Sequence, residues 1–359
     1  MWPYWVMFLV PAVAALQERW RHPGWILAAP VRRRGRAWWL VALALTLLIG
    51  YRFEVGGDWF NYIGNFYNLQ WLELADVLRM SDPGYYLLNW LSIQNGGFIY
   101  AVNLVAGLLF SLGLVVFCLS LPRPWLALAA AIPYLVIVVA MGYSRQGVAL
   151  GLAMLGLVAL GRGATLWFMV WVLLGATFHK SAVILLPIAT LAASEKRYLK
   201  IIWIGALSLG AAWLMREQFD QFYVNYVEAE YQSSGALIRI LMLALPATIL
   251  LVRRRRFPFN LAQARLWFWT AVLSLVLLAL VILSPATTAV DRIGLYLLPL
   301  QLVVFAHLPE VLGRPGQKNG VWVGAVLAYY AAVQFVWLNF ATHAYAWVPY
   351  QFYPLVSEY

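Results

Sequence analysis

Residues 97–119 read GFIYAVNLVAGLLFSLGLVVFCL, with no charged side chain in the run. At about 1.5 Å of rise per residue, a helix of this length crosses the roughly 30 Å hydrocarbon core of a bilayer. The run is one of many. Apolar stretches fall at about 2–16, 37–51, 97–119, 124–141, 145–161, 164–178, 181–193, 201–215, 237–252, 265–283, 292–309 and 320–340. Several are short, which implies tilt, local thinning or partial burial. The links between them are punctuated by Arg, Pro and Gly, as in Leu121-Pro122-Arg123-Pro124 and Gly313-Arg314-Pro315-Gly316. The composition agrees: 359 residues, 64% hydrophobic, 11% charged, with a mean hydropathy of +0.77. A soluble domain carries about 25% charged residues, and there is too little polar surface here to cover a globule. The expected fold class is all-α, a polytopic transmembrane helix bundle of about 12 spans, with limits of about 10–14. It forms a single integral membrane domain over residues 1–359.

The charges are 25 Lys and Arg against 14 Asp and Glu, a net of +11. In a membrane protein such an excess reports topology first. No basic residue precedes the first apolar run, so it does not read as a cleaved signal peptide. A basic cluster follows it, at Arg19, Arg21, Arg32, Arg33, Arg34 and Arg36. The first span is therefore expected to begin outside and end in the cytoplasm, and twelve alternating spans leave both termini outside. That arrangement puts 18 of the 25 cations inside: those six with Arg123, Arg162, Lys196, Arg197, Lys200, Arg253, Arg254, Arg255, Arg256, Arg265, Arg314 and Lys318. Glu18, Glu195 and Glu310 are the acids expected inside, and the other 11 of the 14 fall outside. The alternation needs a break at Phe178-His179-Lys180. One long span over 164–193 would flip every later segment and turn the arginine run 253–256 outward. Cys118 is the only cysteine, so there is no disulfide framework and no cysteine metal site.

Seven cations depart from the topological trend: Arg52, Arg79, Arg145, Lys180, Arg216, Arg239 and Arg292. Charge at membrane depth is costly and is normally paired or functional. Arg145 opens an apolar run in Gly142-Tyr143-Ser144-Arg145-Gln146, His179-Lys180 stands between two runs, and Arg52 and Asp58 follow the second span. Asp291-Arg292 opens another run, with Tyr296 at i+4 on the same helix face. All four clusters are expected at the outer boundary, where they can converge on one outward-facing cavity. Each has a plainer use: an arginine at a span end snorkels to the headgroups, and Asp291-Arg292 can pair locally. Two outer loops are long, about 52–96 and 216–236. The first contains a segment, 83–94, with Asp82 as cap and Pro83 at the first helical position. It is too short to span and reads as an interfacial or re-entrant helix. Gly147, Gly151, Gly156 and Gly161 read as close helix packing of the small-xxx-small kind. Glu228 and Glu230 read as a solvated loop face, His307 as structural, and His343 in the aromatic C-terminal tail as uninformative.

No Walker motif, dinucleotide fingerprint or Asp-x-Asp pair is present, and there is no soluble domain to bind a nucleotide sugar. ATP-driven pumping by this chain alone is excluded. An enzyme of this composition takes an already activated, membrane-borne substrate.

Five short motifs are more specific together. Arg52-Phe-Glu-Val-Gly-Gly-Asp58-Trp-Phe-Asn-Tyr62 resembles the R-x-x-x-G-x-D-x-x-x-Y signature of the EpsG family, the Wzy-like exopolysaccharide polymerases of bacteria. Asp82-Pro-Gly-Tyr-Tyr86 is similar to that family's Glu-Pro-Gly-aromatic motif, with Asp where Glu is usual. Ser144-Arg-Gln146, Phe178-His-Lys-Ser181 and Asp291-Arg-Ile-Gly-Leu-Tyr296 resemble its R-Q, H-K-S and late R-x-x-x-Y motifs, in the family's order. The resemblance implies a polytopic inverting glycosyltransferase in the bacterial inner (cytoplasmic) membrane. Such an enzyme joins undecaprenyl-diphosphate-linked oligosaccharide repeats at the outer face, without metal or cofactor. The implied partners are a lipid-linked oligosaccharide donor and acceptor, the membrane, and a chain-length regulator and flippase of the same pathway. No nucleic acid is implied.

The chemistry is consistent with that. Without a metal, the diphosphate leaving group is neutralised by fixed cations, and arginine presents a planar fork to phosphate oxygens. Inversion also needs a base within reach of the incoming hydroxyl. Arg145 and Arg292 are assigned to the diphosphate, with Arg52 and Lys180 as lesser candidates. Asp58 is the first candidate base and His179 the second. Tyr62 and Tyr296 are substrate-side aromatics, which stack on sugar rings or belong to the ordinary aromatic belt. A lipid-linked oligosaccharide flippase or transporter, and a polysaccharide ligase of the same broad class, are the alternatives. A flippase lines its cavity with charge through the membrane, so one-sided clustering favours the enzyme.

Overall fold

The computed structural model describes residues 1–19, 35–188, 235–283, 287–314 and 316–356, with Ile202 and Gly205. The predicted span 201–215, most of the predicted loop 216–236 with Glu228 and Glu230, and the end of 181–193 lie outside these residues. So do Arg21, Arg32, Arg33, Arg34, Glu195, Lys196, Arg197, Lys200 and Arg216.

Helices dominate. In chain order they are α1 (Trp2–Gln17), α2 (Arg36–Gly50), α3 (Trp59–Asn68), α4 (Leu74–Leu78), α5 (Pro83–Gln94), α6 (Ile99–Leu119), α7 (Pro124–Ala131), α8 (Ser144–Gly161), α9 (Thr165–Phe178), α10 (Ala236–Arg253), α11 (Leu261–Leu283), α12 (Thr287–Leu295), α13 (Pro299–Leu312) and α14 (Gly320–Phe340). Among the described residues, α6, α8, α10, α11 and α14 are long and apolar enough to cross a membrane. Helices α1, α2, α9, α13 and the combined segment Pro124–Ala140 are shorter apolar helices. Among the described residues there are thus five helices long enough to cross and five shorter apolar ones, and the expected count of about 12 spans is not reached by them.

Several expectations are refined. Helix α9 ends at Phe178, and His179 turns extended at φ −154°, so 164–193 is not one continuous helix. The predicted loop 52–96 is mostly helical, carrying α3, α4 and α5. The predicted run 292–309 is two helices. Pro299 has no N–H to continue the ladder, and the chain tightens ahead of it into i→i−3 bonds at Tyr296, Leu297 and Leu298. Arg292 therefore lies in the last turn of α12, and Tyr296 lies beyond that helix rather than one turn along its face.

Helix α8 is the axis of the bundle, packed between α6 and α9. Its small residues allow this. A Cβ on Gly151 would stand 2.6 Å from the Phe110 Cα of α6, and one on Gly175 of α9 would stand 3.1 Å from the Ala149 carbonyl. Gly151→Leu is expected to push α6 from α8 and to cost about 1–3 kcal/mol or more of stability. Thermal unfolding in detergent checks this: a melting temperature equal to wild type would show that the approach is not tight.

Helix α7 runs into a π-helix at Ile132–Ala140, which begins at Ile132-Pro133. The C-terminal tail closes against this segment. Trp347 is fully buried, donates its indole N–H to the Ile137 carbonyl at 2.7 Å, and packs edge-on to Trp337. The tail also forms β2 (Gln351–Phe352), antiparallel to β1 (Arg52–Phe53). At the other end of α7, buried Arg123 pairs with Glu310 at 2.6 Å and donates to the Glu18 carbonyl, while the Glu18 carboxylate accepts the Trp125 and Leu126 N–H groups. Two of the three acids expected inside thus fasten α1, α7 and α13 together.

Candidate functional site

The sequence between α2 and α3 builds one corner of the site. Arg52 is 1% exposed and donates to the Ile49 and Val55 carbonyls, to Ser144 Oγ at 2.6 Å and to Asn103 Oδ1 at 3.4 Å. Its guanidinium also lies over the Trp59 ring, 5.6 Å from the centroid. Arg52 thus joins the end of α2, the turn before Asp58, α6 and the first residue of α8. Gly56 follows at φ +112°, a conformation that suits glycine, and its N–H donates to the Ala346 carbonyl. The chain then delivers Asp58 to the start of α3.

The start of α8 builds the second corner. Arg145 donates from Nη1 to Asp82 Oδ2 at 2.9 Å, and the Tyr62 ring lies 5.8 Å from its guanidinium carbon. Asp82 is the N-cap of α5 and Pro83 its first residue, as expected; its carbonyl accepts the Tyr85 and Tyr86 N–H groups, while its carboxylate makes no capping bond but holds Arg145 and accepts the Lys180 N–H at 3.3 Å. The carboxylate therefore ties three chain segments, 82–83, 144–145 and 179–180, at one point.

Asp58, Tyr62, Arg145, His179 and Arg292 all line one cavity of about 890 Å³. The cavity runs from these polar groups to an apolar side formed by α10 and α14. A second hollow, of about 880 Å³ between α1, α2, α7 and the tail, is walled by apolar side chains with Tyr350 and Gln351 and holds no charged residue. It offers no comparable chemistry. Of the other candidates, Arg52 is buried behind the cavity wall, Lys180 does not line it, and Tyr296 is buried with no hydrogen-bond partner for its hydroxyl among the described residues.

Burial raises the Asp58 carboxyl above the ordinary carboxylate range, opposed by Arg145 and Arg292 and by hydrogen bonds from Asn61 and Tyr62. Asp82 is raised in the same way, opposed first by Arg145. His179, in the link after α9, goes the other way. Burial first, then the charges of Arg145, Arg292 and Lys180, lower it to about 3. Its Nδ1 accepts the Ser181 N–H at 3.3 Å, and its Nε2 lies 3.1 Å from the Gln146 side-chain amide. Both ring nitrogens are thereby engaged by protein groups.

A model of the EpsG family matches residues 36–352, a stretch that contains every residue of this cavity. The chain belongs to the EpsG family. This is a family of Wzy-like polymerases, and membership carries an exopolysaccharide-polymerase-like, glycosyltransferase-like activity in general terms. No curated protein and no solved structure matches the chain.

Two features of this EpsG-family site escaped the sequence reading. For Asp291, the plainer reading was a local pair with Arg292. Arg239, from 52 residues away, also pairs with it, at 2.6 Å and 2.8 Å. The C-terminal tail, whose His343 was read as uninformative, supplies Thr342, His343 and Trp347 to the cavity wall. Its density of aromatic residues was the available signal.

Proposed function

We propose that this chain polymerises undecaprenyl-diphosphate-linked oligosaccharide repeats into an exopolysaccharide or O-antigen-like polymer. The reaction is metal-independent inverting glycosyl transfer at the outer face of the bacterial inner membrane. The observation that carries this reading is the meeting of Arg145, Arg292 and Asp58, from three distant segments, in one cavity with an apolar side. Family membership supports it.

In this reading the donor diphosphate lies against Arg292 of α12 and against Arg145 at the start of α8, where the first N–H groups of a helix also favour an anion. The acceptor hydroxyl oxygen attacks the anomeric carbon from the face opposite the diphosphate. The bond from that carbon to the diphosphate oxygen breaks, and its electron pair leaves on the oxygen, where the arginines stabilise it. The hydroxyl proton passes to Asp58, and the configuration inverts. Asp58 is preferred to His179 because both imidazole nitrogens are already occupied. Lys180 and Arg52 act on position: the first through its N–H on Asp82, the second by fixing the turn before Asp58 and the start of α8.

Purified protein given a synthetic lipid-diphosphate oligosaccharide, with EDTA present, tests the reading. Products lengthened by whole repeats are expected by mass spectrometry. Scrambling of the lipid between leaflets without lengthened product would overturn it in favour of a flippase.

A further inference from the structure

A polymerase holds two substrates at once, and the cavity contains a polar group that the donor does not use. Arg239 of α10 and Asp291 of α12 form a two-pronged pair, with Nε–Oδ1 at 2.6 Å and Nη2–Oδ2 at 2.8 Å. Both line the cavity, and their side chains are 22% and 16% exposed. Thr288 and Thr342 line the same cavity, and Tyr143 lies within electrostatic reach of both members of the pair and also of Asp58 and Arg292.

The charge of this pair decides what it can bind. Arg239 turns two prongs of its fork, Nε and Nη2, to Asp291, where Arg145 turns one, Nη1, to Asp82, so less of the Arg239 fork is left for a diphosphate, which the Asp291 carboxylate beside it also repels. A neutral sugar fits differently. Each hydroxyl both donates and accepts, so it can sit beside a guanidinium and a carboxylate without a charge penalty. A tyrosine ring offers a flat apolar surface to the C–H face of a pyranose. Position agrees with charge, because the pair, Tyr143 and Asp58 line the same cavity, so a sugar held at the pair shares that space with the base.

We propose that Arg239 and Asp291, with Tyr143, form the acceptor-sugar subsite, which recognises the end of the lipid-linked repeat that receives the chain. This rests on the polymerase reading above. The test uses full-length purified protein, a donor repeat whose own acceptor hydroxyl is methylated, and a separate lipid-linked repeat as acceptor. The rate of single coupling is measured against each concentration in turn. Arg239→Lys, which keeps the charge but loses the fork, is expected to raise the acceptor KM about tenfold, the scale of one charge-assisted hydrogen bond. The donor KM and the kcat at saturating acceptor are expected to stay within about twofold of wild type, well under the tenfold that 1.4 kcal/mol represents. Asp291→Asn, nearly isosteric, is expected to give the same split and stands in if the first variant folds poorly. A rise in donor KM instead would place the pair in the diphosphate site, and a fall in kcat alone would make it structural; either overturns the proposal. Failure of the wild type to couple at all would overturn the polymerase reading and the subsite with it.

Discussion

Arg145→Ala abolishes polymer while lipid-linked single repeats accumulate, with turnover falling at least about a hundredfold. The magnitude follows from what the side chain faces. Removing one fixed donor from a developing oxyanion costs about 10²–10³ in rate, and a diphosphate leaving group carries more charge than an acyl oxyanion. The side chain is held ready by Asp82 on one side and the Tyr62 ring on the other. The same contacts raise a rival explanation, because loss of Arg145 strands a carboxylate whose side chain is only 5% exposed. Breaking a buried pair by removing one partner is strongly destabilising. Here the cost is limited. Burial already raises the Asp82 carboxyl, so with Arg145 gone it can take up a proton instead of remaining an isolated charge. The double variant Arg145→Ala/Asp82→Asn removes the stranded charge altogether and should restore protein level without restoring polymer. Gel analysis of polymer length at equal protein level decides the matter, and polymer of normal length from either variant would remove Arg145 from the diphosphate site.

Most of the helical architecture was legible because one property selects both the membrane span and the helix. A run such as 97–119 has no charge to lose to water, and its backbone must bond internally in lipid, so the helix Ile99–Leu119 follows from composition alone. The failures share a cause: they depend on one residue or on distant pairing. The break in 292–309 turns on the missing N–H of Pro299, which an average over apolar residues does not register. Asp82 with Arg145 and Arg239 with Asp291 join residues 63 and 52 positions apart. Nothing in either local sequence names its partner. Arg52 shows the limit most plainly. At the end of a span it looked able to face the outer cavity, but two carbonyls and the Ser144 hydroxyl accept its N–H groups inside the protein. The direction of its side chain was set by α6 and α8. The site itself was legible as a set of charged residues at segment ends, because a charge there needs a reason. Which of them meet could only come from the packing of α8 against its neighbours.

Asp58→Asn separates catalysis from stability in opposite directions. As the base, Asp58 must be deprotonated to accept the hydroxyl proton, and general base catalysis contributes about 10²–10⁴ in rate. Loss of that factor is expected with donor binding little changed, since Arg145 and Arg292 remain. In the wild type, turnover should fall as pH drops through the Asp58 value. That limb lies above the ordinary aspartate value of about 3.9, because burial raises this carboxyl against the pull of both arginines. The residual activity of the variant should lack the limb. Stability carries the opposite sign. A carboxyl with a raised folded value binds more protons folded than unfolded between the two values, so it lowers stability as pH rises through that window, and above it the penalty is complete. Asparagine carries no charge to bury. At neutral pH the variant should therefore melt no lower than wild type while turning over at least about a hundredfold more slowly. A residue conserving structure alone would lose stability and rate together; a buried base whose carboxyl is raised by that burial loses rate and spares stability. Unchanged turnover in the variant, or an acid limb that survives the substitution, would move the base role to another group in the cavity.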